Sequence, residues 1–302
     1  MTTTDTATTM PQGRMAVVGM FDGVHLGHRY LLANLRDIAA TRSLQPFVLT
    51  FSNHPLEIIA PARAPLLLTS PHEKARLIGR EGVECEVMEF TPGLRQASAE
   101  EFIAMLASTF NTKVLLMGYN NRFGHNAPAD FSEYRRLGQR QGVEVIAADE
   151  FVADSGLKIS STEIRNLLLD GDVATANSLL GRPYTMSGIV EHGRQLGRTI
   201  GFPTANLRSD FPRRLVPKAG VYATETLGHR AMTNIGVRPT VDMSGAPQTT
   251  VETHIIGCDA DLYGRPLELA FHRYLRPERR FASIDELRLQ LEADRLAAQS
   301  GL

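Results

Sequence analysis

The chain has 302 residues, a formal net charge of −1, 43% hydrophobic and 22% charged residues. That length favours two domains, and the balance is that of a globular protein. The near-zero charge gives no electrostatic case for nucleic acid or an anionic membrane, and no apolar run approaches the ~20 residues that span a bilayer.

The opening, MTTTDTATTMPQ, lacks the basic and apolar regions of a signal peptide and reads as a frayed tail. Residues 14 to about 150 then alternate between two periods. RMAVVGMF (14–21), PFVLTF (46–51), VECEVMEF (83–90), KVLLMGY (113–119) and VEVIAADEF (143–151) read as short strands. Several are nearly all apolar, which suits strands buried on both faces. Between them lie helical patterns: Leu31, Leu32, Leu35, Ile38 and Ala39 share one face, and Ser98 with Glu101 opens another helix as a capping box. Strands alternating with helices imply βαβ units around a parallel sheet. Residues 160–184 read as two helices, with Ser160/Glu163 as a capping box, Gly171 and Gly181 as stops and Asp172 as the second cap.

After Tyr184 glycine, proline and short alternating runs dominate, as in GVYATETLG and TTVETHIIG. These read as antiparallel strands of a small barrel. A last helix, SIDELRLQLEADRLAAQ, starts at the capping pair Ser283/Glu286. The domain boundary is therefore placed near 184. Cys85 and Cys258 fall in different domains and no C-x-x-C occurs, so two reduced thiols in a cytoplasmic protein are expected.

Two segments in the α/β region carry anion chemistry. GMFDGVHLGH (19–28) sits where a strand hands over to a helix, a geometry that aims free backbone N–H groups at an anion. Its glycines leave room for a phosphate, and His25 and His28, three apart, share one side of the helix start. ISSTEIR (159–165) adds Ser160, Ser161 and Thr162 at a helix start, with Arg165 one turn in. In the second half, LGRTIGFPTANL (196–207) reads alone as a barrel loop, although Thr204 and Asn206 offer hard oxygen ligands suited to Mg²⁺.

Together GMFDGVHLGH, VLTFSNHP, GYNNRFGHN, SSTEIRNLLLDGDVATANSLLGRPY and GRQLGRTIGFPTANL, in that order, resemble the bifunctional bacterial riboflavin kinase/FAD synthetase family. The resemblance implies a Rossmann-like nucleotidyltransferase domain over 14–183 that adenylates FMN to FAD, releasing pyrophosphate. It implies a barrel domain with a C-terminal helix over 184–302 that phosphorylates riboflavin to FMN. ATP with Mg²⁺ serves both steps, and no nucleic-acid or membrane partner is implied. By the same resemblance, Gly19, Phe21, Asp22, Gly23, His25, Gly27 and His28 form the N-terminal nucleotide site. His54, Asn120 and Arg122 line the nucleotide or flavin, and Ser160, Ser161, Thr162 and Arg165 stabilise phosphate charge. In the C-terminal half Gly197, Arg198 and Gly201 serve the phosphates, Pro203 belongs to the ATP/flavin site, Thr204 and Asn206 contact the metal and the ATP phosphates, Glu252 is the base and Arg276 faces the flavin. FMN is already an oxyanion at neutral pH and needs no strong base, whereas the alcohol of riboflavin benefits from one.

Two positions depart from the family pattern. Most members carry Asp-Pro where this chain has Ser52-Asn53, and many carry an aromatic residue or histidine in place of Asn121. They motivate an alternative in which only the kinase is active and the N-terminal half is a degenerate nucleotide-binding module. A flavin carrier without catalysis is a third reading.

Overall fold

The computed structural model describes residues 13–118, 121–128, 130–149, 151, 159–193, 196–241 and 247–300. The frayed tail expected at 1–12 lies outside them. Contacts divide the chain into two compact units, Met1–Lys158 and Ile159–Leu302.

In the first unit the apolar runs become β1 (Arg14–Val18), β2 (Gln45–Phe51), β3 (Glu84–Met88), β4 (Thr112–Met117) and β5 (Glu144–Ala147). Among the described residues they form one parallel sheet in the order β3-β2-β1-β4-β5. Helices α1 (Leu26–Thr41), α2 (Pro55–Ile59), α3 (Pro71–Arg80), α4 (Pro92–Gln96), α5 (Ala99–Phe110) and α6 (Phe131–Arg140) connect the strands. Side chains alternate across the sheet. Met15 and Val17 meet Leu32 and Leu35 of α1 and Ile78 of α3, whereas Ala16 and Val18 meet Phe102, Ile103 and Leu106 of α5. Both faces are buried at the centre of the sheet, which is why β1, β2 and β4 lack a polar stripe. The strand order reverses between β1 and β4, and the crevice at their carboxyl ends is where such sheets take ligands. The turn into α1 leaves from that crevice.

The second unit opens with α7 (Ser161–Asp170) and α8 (Val173–Leu180). The Ser160 hydroxyl caps α7 by accepting from the Glu163 amide at 3.2 Å, Gly171 and Gly181 end the helices in left-handed conformation, and Asp172 caps α8. Six antiparallel strands follow among the described residues: β6 (Tyr184–Glu191), β7 (Ala205–Ser209), β8 (Gly220–Thr226), β9 (His229–Val241), β10 (Pro247–Ile255) and β11 (Pro266–Arg276). They close as β10-β7-β6-β11-β8-β9, which leaves no free sheet edge. A short α9 (Leu196–Thr199) precedes β7, and α10 (Ile284–Gln299) ends the chain.

The expected boundary at 184 marks a change of secondary structure rather than the division made by contacts. Val173, Ala176, Leu179 and Leu180 of α8 are buried, and α8 packs on β6 and β11. The Asn177 amide donates to the Phe271 carbonyl at 2.8 Å and accepts from the Tyr184 amide at 2.7 Å. Composition changes where helix gives way to barrel, but the apolar face of α8 needs that barrel.

Helix α10 packs on the outside of β8, β9 and β11. Its buried Asp294 grips Arg276 of β11 with Nε–Oδ1 at 2.9 Å and Nη2–Oδ2 at 2.6 Å. Gln290 adds a third contact at 2.8 Å. Removing one member of such a pair strands the other's charge. Asp294→Ala is therefore expected to cost about 3 kcal/mol, on the order of 10 °C in the melting midpoint of this unit. Calorimetry checks this; an unchanged midpoint contradicts the anchoring role.

Candidate active sites

The N-terminal site is built on a strained turn. Phe21 (φ 47°), Gly23 (φ 81°) and Val24 (φ 40°) all have positive φ, and for a β-branched valine that is a genuine outlier. The turn is braced from below. Asp22, 2% exposed, accepts from the amides of Leu68 and Thr69 at 2.9 and 3.1 Å, so it holds the loop before α3 against the turn. The glycine amides are mostly used inside the fold: Gly19 N–H donates to the Leu49 carbonyl and Gly23 N–H to the Thr69 hydroxyl. The amides left for an anion are those of Leu26 and Gly27, which have no intrahelical acceptor. Gly19 and Gly23 thus spend their amides on shaping the turn, while the Gly27 amide lacks an intrahelical acceptor. A Cβ on Gly19 would lie 3.1 Å from the Phe21 ring.

His25 caps α1, its Nδ1 accepting from the His28 amide at 3.3 Å. That bond places the His25 proton on Nε2 when the ring is neutral. The rings of His25 and His28 stack at 3.6 Å, with Phe21 4.9 Å from His28. Burial, then the charges of His25 and Lys74, hold His28 well below the usual histidine range, so it is neutral at pH 7. Its Nδ1 is buried without a hydrogen-bond partner among the described residues. Buried polar atoms in native folds are nearly always hydrogen-bonded, so this atom, at the mouth of the crevice, stands out.

The other N-terminal candidates are placed as follows. His54 caps α2, accepting from the Leu56 amide at 3.1 Å while Glu57 completes the capping box. Arg122 is exposed in the loop after β4, and Asn120 lies outside the described residues. Ser160, Ser161, Thr162 and Arg165 belong to the second unit, at the start of α7, where Arg165 Nη1 lies 3.5 Å from the Thr162 hydroxyl.

The C-terminal site is a row across the barrel. In register, Asn206 of β7 faces Glu252 of β10, Glu252 faces Asn234 of β9, Asn234 faces Val221 of β8, and Val221 faces Arg276 of β11. Cross-strand partners share a face, so these side chains point together to the outside of the barrel. The residues flanking Glu252, Val251 and Thr253, are buried on the other side. There Thr253, Thr233 and Thr224 satisfy one another's hydroxyls at 2.8 and 2.7 Å. Over the outer face lies a cavity of about 240 Å³ between the strands, α10 and the loop after β11. Glu252, Thr204, Asn234, His254 and Arg276 line it, with Phe202, Met232, Phe281 and Leu291 as apolar walls. A second cavity, of about 510 Å³, shares Thr204 and is lined by Asp259, Asp261 and Tyr263.

The loop holding Thr204 is tightly folded. Gly201 has φ +88°, and a Cβ on Gly197 would collide with the Phe202 carbonyl. Pro203 accepts a 2.8 Å bond from His254 Nδ1. Asn206 packs its amide against Gly193, where no Cβ fits. Arg276 lines the cavity, but Asp294 and the Pro277 carbonyl engage its guanidinium. The Arg198 side chain lies outside the described residues. Thr204 and Asn206 offer oxygen donors that fit a hard cation whose remaining ligands are phosphates and water, with Glu252 beside Asn206 in register. No cluster of three His, Cys, Asp or Glu suited to a metal occurs among the described residues.

The FAD synthetase family model matches residues 7–163 and the riboflavin kinase family model residues 180–302. The bifunctional riboflavin kinase/FMN adenylyltransferase of Escherichia coli K12 is 39% identical over 95% of this chain and 92% of that protein. The chain belongs to the bifunctional riboflavin kinase/FMN adenylyltransferase family. The Listeria monocytogenes member is 34% identical over 93% of this chain and 90% of its own length. A crystal structure from Streptococcus pneumoniae, described as a macrolide-efflux protein, superposes with a TM-score of 0.83 at 32% identity, covering 97% of this chain and 95% of that one. Among the described residues no helix of this chain is long and apolar enough to cross a membrane.

Against this family frame, the two departures have structural roles. Asn53 donates to the Phe90 carbonyl at 3.0 Å and accepts from its amide at 2.8 Å, tying the loop after β2 to that after β3. Asn121 donates to the Val18 carbonyl at the end of β1. Sequence reasoning missed Lys74, Thr69, His254 and Asn234. His254 was the most legible of these, two residues from Glu252 on the same strand face.

Proposed function

We infer that this chain makes FMN from riboflavin at the barrel cleft and FAD from FMN in the α/β unit, consuming one ATP at each step. The observation that carries the reading is the register that sets Glu252 beside Asn206 on the neighbouring strand, at a cavity edge that also holds Thr204. Family membership over nearly the whole chain supports both halves.

In the kinase step the flavin lies in the cavity against Phe202, Met232 and Phe281, and ATP approaches from the cavity on the other side of Thr204. Glu252 takes the proton of the ribityl primary alcohol as its oxygen bonds to the γ-phosphorus. The bond from the γ-phosphorus to the bridging oxygen breaks, and ADP leaves. Thr204 and Asn206 would hold Mg²⁺, which would supply charge neutralisation on the phosphates.

In the adenylyl step an FMN phosphate oxygen bonds to the α-phosphorus of ATP and pyrophosphate departs. The unpaired amides of Leu26 and Gly27 and the imidazoles of His25 and His28 stabilise the charge that develops there. By family resemblance, Ser160, Ser161, Thr162 and Arg165 carry phosphate chemistry at the start of α7, and His54, Asn120 and Arg122 border the nucleotide or flavin.

Chromatography of flavins after incubation with riboflavin and Mg-ATP tests the reading. FMN followed by FAD is expected, with EDTA stopping both. FMN without FAD instead supports the kinase-only alternative, and no ATP turnover the carrier.

A further inference from the structure

We propose that Lys74 is the fixed cation of the N-terminal site: its ammonium, locked beneath the Gly19–His28 turn, attracts the phosphates of the nucleotide bound there. The proposal rests on the adenylyltransferase reading above.

Lys74 is 2% exposed, on a helix whose other face is solvated. Its Nζ donates to the Met20 carbonyl and to the Phe51 carbonyl, each at 2.8 Å. Met20 belongs to the turn itself, and Phe51 ends β2. The charge therefore sits at the carboxyl edge of the sheet, directly under the crevice. Burying an ammonium is costly, and an apolar side chain would fill the same space in α3 without that cost.

The groups facing Lys74 are the Asp22 carboxylate, the Cys85 thiol of β3 and, across the turn, His28 with His25 stacked on it. Burial lowers Lys74 to about 8, and the Asp22 charge opposes that shift. The Lys74 charge in turn contributes to keeping His28 neutral. A field that disfavours a proton on His28 favours an anion beside it.

A mechanical role is separable from an electrostatic one. A neutral amine still has two N–H groups, enough for both carbonyls. Raising the pH through 8 removes the charge and leaves the brace. His28, held far below the usual range, and Cys85, raised to about 11, do not titrate in that window.

The test uses the full chain and measures the KM for ATP in FAD formation, with riboflavin phosphorylation as the internal control. From about pH 7 to about pH 9 the wild-type KM for ATP in FAD formation is expected to rise about tenfold, while that of the kinase does not follow. Lys74→Met should show the high KM already at neutral pH, with no pH dependence. Lys74→Arg should keep the low value throughout. A wild-type KM that stays flat, or a Lys74→Met chain with the wild-type KM, overturns the proposal. If Lys74→Met forms no FAD at all, the wild-type pH series decides. Wild-type protein that forms no FAD at any pH removes the adenylyltransferase reading and this inference together. FAD formation with a flat KM removes the inference alone.

Discussion

Glu252→Gln is expected to lower riboflavin phosphorylation about a thousandfold and to leave FMN adenylylation at its wild-type rate. The amide keeps the shape of the side chain and its place between Asn206 and Asn234 in the barrel register. What it loses is the ability to take a proton from the ribityl alcohol. The loss should fall on kcat rather than on the KM for riboflavin, because the cavity walls at Phe202, Met232 and Phe281 are untouched. FMN supplied directly should still become FAD, since the α/β unit is compact by its own contacts. Separate assays of the two steps check this; a kinase rate within a few-fold of wild type removes Glu252 from the role of base.

His28→Ala should produce the reverse pattern. Adenylylation is expected to fall about a hundredfold to a thousandfold, the usual loss for one preorganised donor to a developing oxyanion, with riboflavin phosphorylation unchanged. His28 is neutral in the free protein, held so by burial and by the nearby charges of His25 and Lys74. In the proposed adenylyl step it meets the triphosphate as a neutral donor, and the anion then favours a proton on the ring. The pH profile of kcat/KM for adenylylation should therefore show no His28 limb near the ordinary histidine value. The substitution also removes the ring stacked on His25 at 3.6 Å, so His28→Gln, which retains an N–H, should recover part of the rate. If either Glu252→Gln or His28→Ala abolished both activities in folded protein, the two-site assignment would fail.

How much of this was legible beforehand differs by feature. The parallel sheet and the barrel were readable because burial on two faces and burial on one leave different periods in the sequence. Capping residues were readable for the same kind of reason: Ser98, Ser160 and Ser283 act within four residues of themselves. The Gly19–His28 turn stood out as an anion site, but which amides remain available did not. That depends on Leu49 and Thr69, tens of residues away, accepting from Gly19 and Gly23. Arg276 shows the same limit. Its identity suggests a ligand contact, while its partner Asp294 lies on another element. Lys74 followed a glutamate in a helix that scans as solvated, and no spacing rule separates a buried lysine from an exposed one.

The sequence by itself determined the strands of the sheet, several of the helices, the two-part architecture and the segments to which the family resemblance assigns phosphate chemistry. All of these depend on local periodicity, local capping and contiguous motifs. The tertiary structure decided which helices belong with the barrel, which amides are spent and which charges are buried. It also decided that Asn206, Glu252 and Asn234 stand in one row. Those are pairings between distant residues, set by strand register and packing, and a pattern within a few residues carries no record of them.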